Sequence, residues 1–181
     1  MVQFTCYLIA LSIAAGGLAT CKRDVATVEA DIATLVRQVT AYDNAIVAFP
    51  PSNGSVDDAL AIHAEATTII NTLNTAASDV QAVGEFSEDD DTAILSDIET
   101  SLSTVLSSLT DIVDKKPAFE ALPICGFQAL FLQDLQNLQN ASVGFGNALI
   151  NTAPATLVAN FTDLTNNIIA AYGPALTAYS S

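Results

Sequence analysis

Apolar residues recur every three or four positions through five successive segments of this sequence. In the first segment the series is Val28, Ile32, Leu35, Val39, Tyr42, Ile46 and Phe49. Such a repeat places the apolar side chains on one face of an α-helix, whereas a strand would alternate them at every second residue. The sequence therefore predicts an all-α protein of about five amphipathic helices.

Proline and capping residues separate the segments. Pro50-Pro51 ends the first helix, because proline lacks a backbone donor and clashes with the preceding turn. Ser55 with Asp58, and Ser87 with Asp90, have the spacing of capping boxes, which predicts that the second and third helices begin there.

Two further signals concern the ends of the later helices. Lys115-Lys116 is predicted to close the third helix, where the helix dipole favours cations. Pro154 is predicted to be the first residue of the fifth helix, a position that suits proline. Short connections between helices of this length are typical of a single helical bundle.

Both ends of the chain bear on its location. Residues 1–19 have the apolar run and small-residue cleavage pattern of a secretory signal peptide. The dibasic Lys22-Arg23 predicts removal of a pro-segment, residues 20–23, which leaves a mature domain of residues 24–181; the alternative is signal cleavage alone. The C-terminus lacks the hydrophobic tail of a lipid-anchor signal. We expect a secreted protein, extracellular or in a cell wall, without a transmembrane segment in the mature chain.

Three acceptor sequons for N-glycosylation begin at Asn53, Asn140 and Asn160. Asn53 is the best candidate because it follows the helix-breaking prolines, whereas the other two fall within helical patterns. If the pro-segment is removed together with the signal peptide, Cys125 is left as a single thiol. If Cys21 is retained, a disulfide between Cys21 and Cys125 becomes possible.

The charged and nucleophilic residues argue against several functions. The chain has 20 acidic and 5 basic residues and a formal charge of −15, which disfavours nucleic-acid binding. His63 is the single histidine, and no nucleophile elbow accompanies it. The acidic run 88–91 lacks the turn glycine of a calcium loop, and a helix N-terminus explains it better. We expect no catalytic activity, no cofactor and no metal site.

Polar residues interrupt two of the apolar faces. Ser101 lies between Ile98 and Val105 on the third helix. Ser142 lies between Leu138 and Phe145 on the apolar face of the fourth. Each hydroxyl either bonds a carbonyl of its own helix or serves as a polar group inside an apolar cavity, where it would orient a fatty carboxylate. Arg37 is the one candidate cation for such a carboxylate, although its place on a helix flank favours solvation.

Several stretches of the sequence resemble the fungal hydrophobic surface binding protein A family, which includes the antigenic cell-wall galactomannoproteins. The resemblance covers essentially all of 24–181. The matching stretches are Lys22-Arg23-Asp24-Val25-Ala26-Thr27-Val28-Glu29-Ala30-Asp31-Ile32, Ala59-Leu60-Ala61-Ile62-His63, Gly84-Glu85-Phe86-Ser87-Glu88, Asp111-Ile112-Val113-Asp114-Lys115-Lys116-Pro117-Ala118-Phe119 and Leu122-Pro123-Ile124.

The resemblance implies a secreted, non-enzymatic helical protein that is often glycosylated. Some members of the family enclose a fatty acid in a central apolar cavity, and serine and glutamine side chains hold its carboxylate. Others adsorb to hydrophobic solids and recruit polyester-degrading esterases. A wall antigen without any ligand is a third possibility.

The first of these functions requires an apolar cavity between the helices. Alanine and serine on several of the apolar faces favour an under-filled core, although close helix packing against small residues is the alternative. The predicted lipid-binding residues are Leu35, Val39, Ile69, Leu73, Ser101, Leu102, Val105, Phe131, Leu135, Ser142 and Phe145.

Overall fold

Six helices form the part of the chain that the computed structural model describes, residues 24–181. The predicted signal peptide and pro-segment lie outside the described residues. The helices are α1 (Val25–Ala48), α2 (Val56–Val83), α3 (Glu88–Asp114), α4 (Lys116–Glu120), α5 (Phe127–Thr152) and α6 (Val158–Ser180). The all-α prediction is confirmed, and the short α4 is present in addition to the five helices predicted.

The predicted helix starts at two serines are confirmed. The Asp58 amide donates to Ser55 Oγ at 3.0 Å, and the Asp90 amide donates to Ser87 Oγ at 3.2 Å. Gly84 ends α2 with φ 83°, a conformation that L-residues with a side chain rarely adopt. Each of these groups satisfies backbone atoms that a helix terminus leaves without an internal partner.

One prediction about helix ends is wrong. The fifth long helix begins at Val158 rather than at Pro154, because Pro154 opens a turn in which its carbonyl accepts from the Leu157 amide. The third helix ends at Asp114 with Lys115 as its C-cap residue, as predicted, but the two ammonium groups bond carbonyls of other helices. Lys115 donates to the carbonyls of Val47 and Phe49 at the end of α1. Lys116 donates to a carbonyl near the end of α6.

The five long helices pack as a closed ring in the order α1, α2, α5, α6, α3 and back to α1. Helices α1, α3 and α6 run in one direction, and α2 and α5 run in the other. The C-termini of α1, α3 and α6 therefore meet at one end of the bundle, next to α4, which we call the α4 end. Tyr179 of α6 donates its hydroxyl to the Ile112 carbonyl of α3 there, at 2.7 Å.

Aromatic side chains fill the ring at the α4 end. Phe119 of α4 lies 4.4 Å from Phe49 and 4.5 Å from Phe131, measured between ring centroids. Phe127 stacks on Phe131 at 6.0 Å, and Tyr179 meets Phe131 edge-on at 6.1 Å, again between ring centroids. We call these five residues the aromatic plug. Because it is almost completely buried, it closes one end of the ring.

Candidate functional site

A ring of five helices leaves space along its axis. With neighbouring helix axes about 8–10 Å apart, each axis lies roughly 7–8 Å from the centre of the ring. A helix with its side chains has a radius of about 5–6 Å, so only long side chains reach the centre. Short residues facing inward therefore leave a void.

The structure contains such a void, with a volume of about 100 Å³. All five long helices line it, and the lining is mostly aliphatic and aromatic. The lining residues are Ile32, Leu35, Val36, Val39, Ile69, Leu73, Ile98, Ser101, Leu102, Val105, Ser108, Leu109, Leu138, Ser142, Phe145, Gly146, Leu149, Phe161, Leu164, Thr165, Ile168 and Tyr172.

Helical periodicity explains how the lining is assembled. On α3 the inward positions follow the spacing three, one, three, three, one, and they place Ser101 and Ser108 beside the leucines of the same face. On α5 and α6, Gly146 and Thr165 face each other: a Cβ on Gly146 would lie 2.4 Å from Thr165 Oγ1. The missing side chain thus lets α5 and α6 approach closely.

Nine of the eleven lipid-binding residues predicted from the sequence line this cavity. They are Leu35, Val39, Ile69, Leu73, Ser101, Leu102, Val105, Ser142 and Phe145. Phe131 belongs to the aromatic plug, and Leu135 lies one turn further along α5, so neither faces the cavity. The prediction that these side chains contact a lipid stays a prediction.

Sequence reasoning missed the contribution of α6. Phe161, Leu164, Thr165, Ile168 and Tyr172 all line the cavity. The apolar members recur every three or four positions, and the same spacing places Thr165 on their face of the helix. Nothing in the spacing of a single helix, however, distinguishes a face that lines a void from one that packs against a neighbour.

The polar groups of the cavity are hydroxyls. Ser101 Oγ donates to the Ile98 carbonyl at 2.8 Å, and Ser108 Oγ donates to the Val105 carbonyl at 2.9 Å. Both serines therefore bond to their own helix, which was one of the two alternatives for Ser101.

A second pair of hydroxyls joins α5 to α6 at the cavity wall. Ser142 Oγ lies 3.5 Å from the hydroxyl of Tyr172, and either group can be the donor. Burial raises the pKa of Tyr172, and the bond to Ser142 partly opposes that rise. The phenol therefore keeps its proton at neutral pH.

A buried carboxylate lies between the cavity and the aromatic plug. Asp134 of α5 is almost fully buried, and both of its oxygens lie 2.9 Å from Nδ1 of His63 on α2. Burial raises the pKa of Asp134, and the partly exposed His63 lowers it in part. This pair links two neighbouring helices, and neither residue lines the cavity.

Other sequence features are placed as follows. Arg37 is exposed and its Nη2 donates to Thr34 Oγ1 of its own helix, at 2.9 Å. Cys125 is exposed, with a free thiol. Within residues 24–181, no three His, Cys, Asp or Glu side chains are grouped so as to hold a metal ion. No helix in the same range has the length and apolarity needed to cross a membrane.

Solved structures of fatty-acid complexes have the same fold. AfMP4p in complex with palmitic acid is 26% identical, with a TM-score of 0.79, and the match covers 86% of this chain and 99% of that one. Ligand binding domain 1 of Penicillium marneffei MP1 protein, complexed with arachidonic acids, is 16% identical, with a TM-score of 0.76 over 87% of this chain and all of that one. Ligand binding domain 2 of the same protein, complexed with multiple arachidonic acids, is 17% identical, with a TM-score of 0.76 over 88% of this chain and 98% of that one.

Sequence comparison gives the family. No curated protein sequence matches the chain significantly. The sequence profile of hydrophobic surface binding protein A matches residues 25–151, which is well over half of the chain. The resemblance predicted from the sequence is thereby confirmed. The chain belongs to the hydrophobic surface binding protein A family.

Proposed function

We propose that this protein binds a long-chain fatty acid or a similar lipid in the cavity at the centre of the helical ring. The observation that carries the proposal is an apolar void lined by all five long helices, in a fold shared with a palmitic-acid complex. Each methylene group removed from water contributes about 0.8 kcal/mol before the cost of ordering the ligand. The proposal is one of binding rather than catalysis.

The size of the cavity implies that the lining moves when a long chain enters. Cavities of about 150 Å³ with similar lining accept a molecule of the size of benzene. The cavity here is about 100 Å³, so an acyl chain requires displacement of side chains or of a helix. The contact between α3 and α6 is the least extensive of the five in the ring, so we expect the wall to open between these two helices.

Native mass spectrometry of the delipidated protein, with and without long-chain fatty acids, tests this function. We expect one discrete adduct per chain. Leu102→Gln weakens it, because a polar amide then enters the cavity wall. Leu106→Gln is the matched control: Leu106 lies one turn away on α3, is 41% exposed and does not line the cavity. Absence of an adduct, or equal loss in both variants, contradicts enclosed binding.

Adsorption to hydrophobic solids is the second candidate function. The family description supports it, as does the position of three exposed aliphatic side chains at the α4 end: Val47, Leu60 and Ile124. Polystyrene particles should then deplete the protein from solution, and Ile124→Asp should reduce depletion more than Leu106→Asp does. Co-sedimentation of a secreted polyester-degrading esterase with the coated particles tests recruitment of such an enzyme.

We further propose secretion to the medium or the cell wall, with cleavage of residues 1–19 and 20–23. N-terminal sequencing of the extracellular protein should then begin at Asp24. Asn53 is the proposed glycosylation site, because it is exposed in the loop between α1 and α2. Asn140 and Asn160 are also exposed but lie on α5 and α6. Glycopeptide mapping of the three sites tests this order of preference.

A further inference from the structure

The cavity presents no positive charge to a ligand. None of its lining residues is lysine, arginine or histidine. The cationic side chains of the described residues lie outside the cavity. Arg37 is exposed and bonds Thr34, while Lys115 and Lys116 bond backbone carbonyls at the α4 end. His63 contacts Asp134. A carboxylate that entered the cavity would have no cation beside it.

Charged groups on every helix of the ring make the surroundings negative. Besides Arg37 and His63, the ionisable side chains on the helices around the cavity are acidic or phenolic. They are Glu29, Asp31, Tyr42 and Asp43 on α1, Asp57, Asp58, Glu65 and Asp79 on α2, Glu88, Asp89, Asp90, Asp91, Asp97, Glu99, Asp111 and Asp114 on α3, Asp134 on α5, and Asp163, Tyr172 and Tyr179 on α6. The formal charge of the whole chain is −15. This field opposes the entry of an anion.

The hydrogen-bonding groups of the cavity also favour a ligand that donates. Ser101 and Ser108 have given their hydroxyl protons to carbonyls of their own helix, so their oxygens remain as acceptors. A carboxylate can only accept hydrogen bonds, whereas an alcohol or a protonated carboxylic acid both donates and accepts. Ser142 and Tyr172 together add one donor and one acceptor, and the Thr165 hydroxyl adds one of each, so acceptors still outnumber donors.

We propose that the cavity selects lipids with an uncharged head group: it takes a fatty alcohol in preference to a fatty carboxylate and takes a fatty acid in its protonated form. This inference rests on the proposed lipid-binding function and names the class of ligand for the same cavity. The apolar tail supplies affinity in either case, so the head group decides the preference. The absence of a cation, the acidic surroundings and the excess of acceptors all favour the neutral form.

Competition between two ligands with equal tails tests the proposal. The delipidated protein is loaded with the neutral fluorescent probe N-phenyl-1-naphthylamine, which is then displaced by 1-dodecanol or dodecanoic acid between pH 5.5 and 7.5. At pH 7.5 we expect 1-dodecanol to displace the probe at a concentration at least about 10-fold lower than dodecanoic acid requires. Because a carboxylic acid is mostly ionised above about pH 5, its competition should strengthen up to about tenfold for each pH unit lowered.

The alcohol is the control for pH effects on the protein itself, and its inhibition constant should stay unchanged over the same range. Arg37→Gln should leave the binding of dodecanoic acid at pH 7.5 unaltered. If the acid binds as tightly as the alcohol at pH 7.5 and its binding does not change with pH, the preference is overturned while the proposed lipid binding stands. Loss of acid binding in Arg37→Gln overturns the preference in the same way. If neither ligand nor probe binds, the proposed function fails and the preference fails with it.

Discussion

The ammonium group of Lys115 donates to the backbone carbonyl of Val47 at 2.9 Å, although the two residues are 68 positions apart in the sequence. It also bonds the Phe49 carbonyl, so that one side chain from the α3–α4 junction caps the C-terminus of α1. Lys116 does the same for α6 through the Ala178 carbonyl at 2.6 Å. Adjacent lysines thus fasten two separate helices at the end where three helix C-termini meet.

Replacing Lys115 by methionine should destabilise the fold. The substitution keeps the length of the side chain but leaves the α1 carbonyls without their charged donor, which costs about 2 kcal/mol. Thermal unfolding should show a melting temperature lower by roughly 4–8 °C. Arg37→Met is the matched control, because Arg37 is exposed and bonds within its own helix; it should change stability by less than about 0.5 kcal/mol. Equal effects would mean that the cap on α1 contributes nothing.

Sequence periodicity predicted the long helices well because each buries one apolar face, and burial is what the three-four repeat records. The partners of the lysine pair were not predictable in the same way. A cation near a helix end is favoured by any nearby set of free carbonyls, and the order of helices around the ring decides which set is near. That order depends on packing between residues far apart in the sequence.

The candidate cavity shows the same limit at the level of single residues. Phe131 and Leu138 lie on the same face of α5, two turns apart, and only Leu138 lines the void. The sequence does not show that the short α4 brings Phe119 against Phe131 and closes the ring at that level. Of the small residues on the apolar faces, serines line the void and none of the alanines does. The position of the void along the axis follows from the aromatic plug.

Phe131 and Leu102 should therefore respond differently to truncation. Phe131→Ala removes the central ring of the aromatic plug and should lower the free energy of unfolding by about 3–5 kcal/mol. Leu102→Ala enlarges an existing void at a half-buried position and should cost only about 1 kcal/mol. Urea denaturation monitored by circular dichroism measures both. A loss for Leu102→Ala as large as that for Phe131→Ala would show that the cavity wall is as tightly packed as the plug.

Asp91 should make the protein less stable as the pH rises. Its side chain is fully buried at the start of α3, and neither carboxylate oxygen has a hydrogen-bond partner within residues 24–181. Burial, aided by the charge of Asp90, raises the pKa of Asp91 to about 6. An unfolded chain has a pKa near 3.9 for this group, so the stabilising contribution of its protonated form is present below about pH 4 and is lost as the pH rises through 6.

The Asp91→Asn variant tests this linkage. Its stability relative to the parent protein should increase by about 1–3 kcal/mol between pH 4 and pH 7.5, since only the parent must bury a charge at the higher pH. Urea denaturation at a series of pH values measures the difference. Asp89→Asn removes an exposed acid of the same turn and should show a much smaller change. A difference between parent and Asp91→Asn that is constant with pH would show that Asp91 titrates normally.

Two glycines of α5, two positions apart, should respond to alanine in opposite directions. A Cβ at Gly146 would lie 2.4 Å from Oγ1 and 2.7 Å from Cγ2 of Thr165, so α5 and α6 must separate at a cost of about 1–3 kcal/mol. A Cβ at Gly144 meets no atom within 4 Å, and the substitution should stabilise the helix by about 0.5–1 kcal/mol. Urea denaturation of both variants, and of Gly146→Ala combined with Thr165→Ala, measures these effects. Thr165→Ala removes two of the colliding atoms, so the combined variant should recover much of the stability that Gly146→Ala loses. If the combined variant is instead less stable by the sum of the losses of Gly146→Ala and Thr165→Ala, α5 and α6 are not held together at this contact.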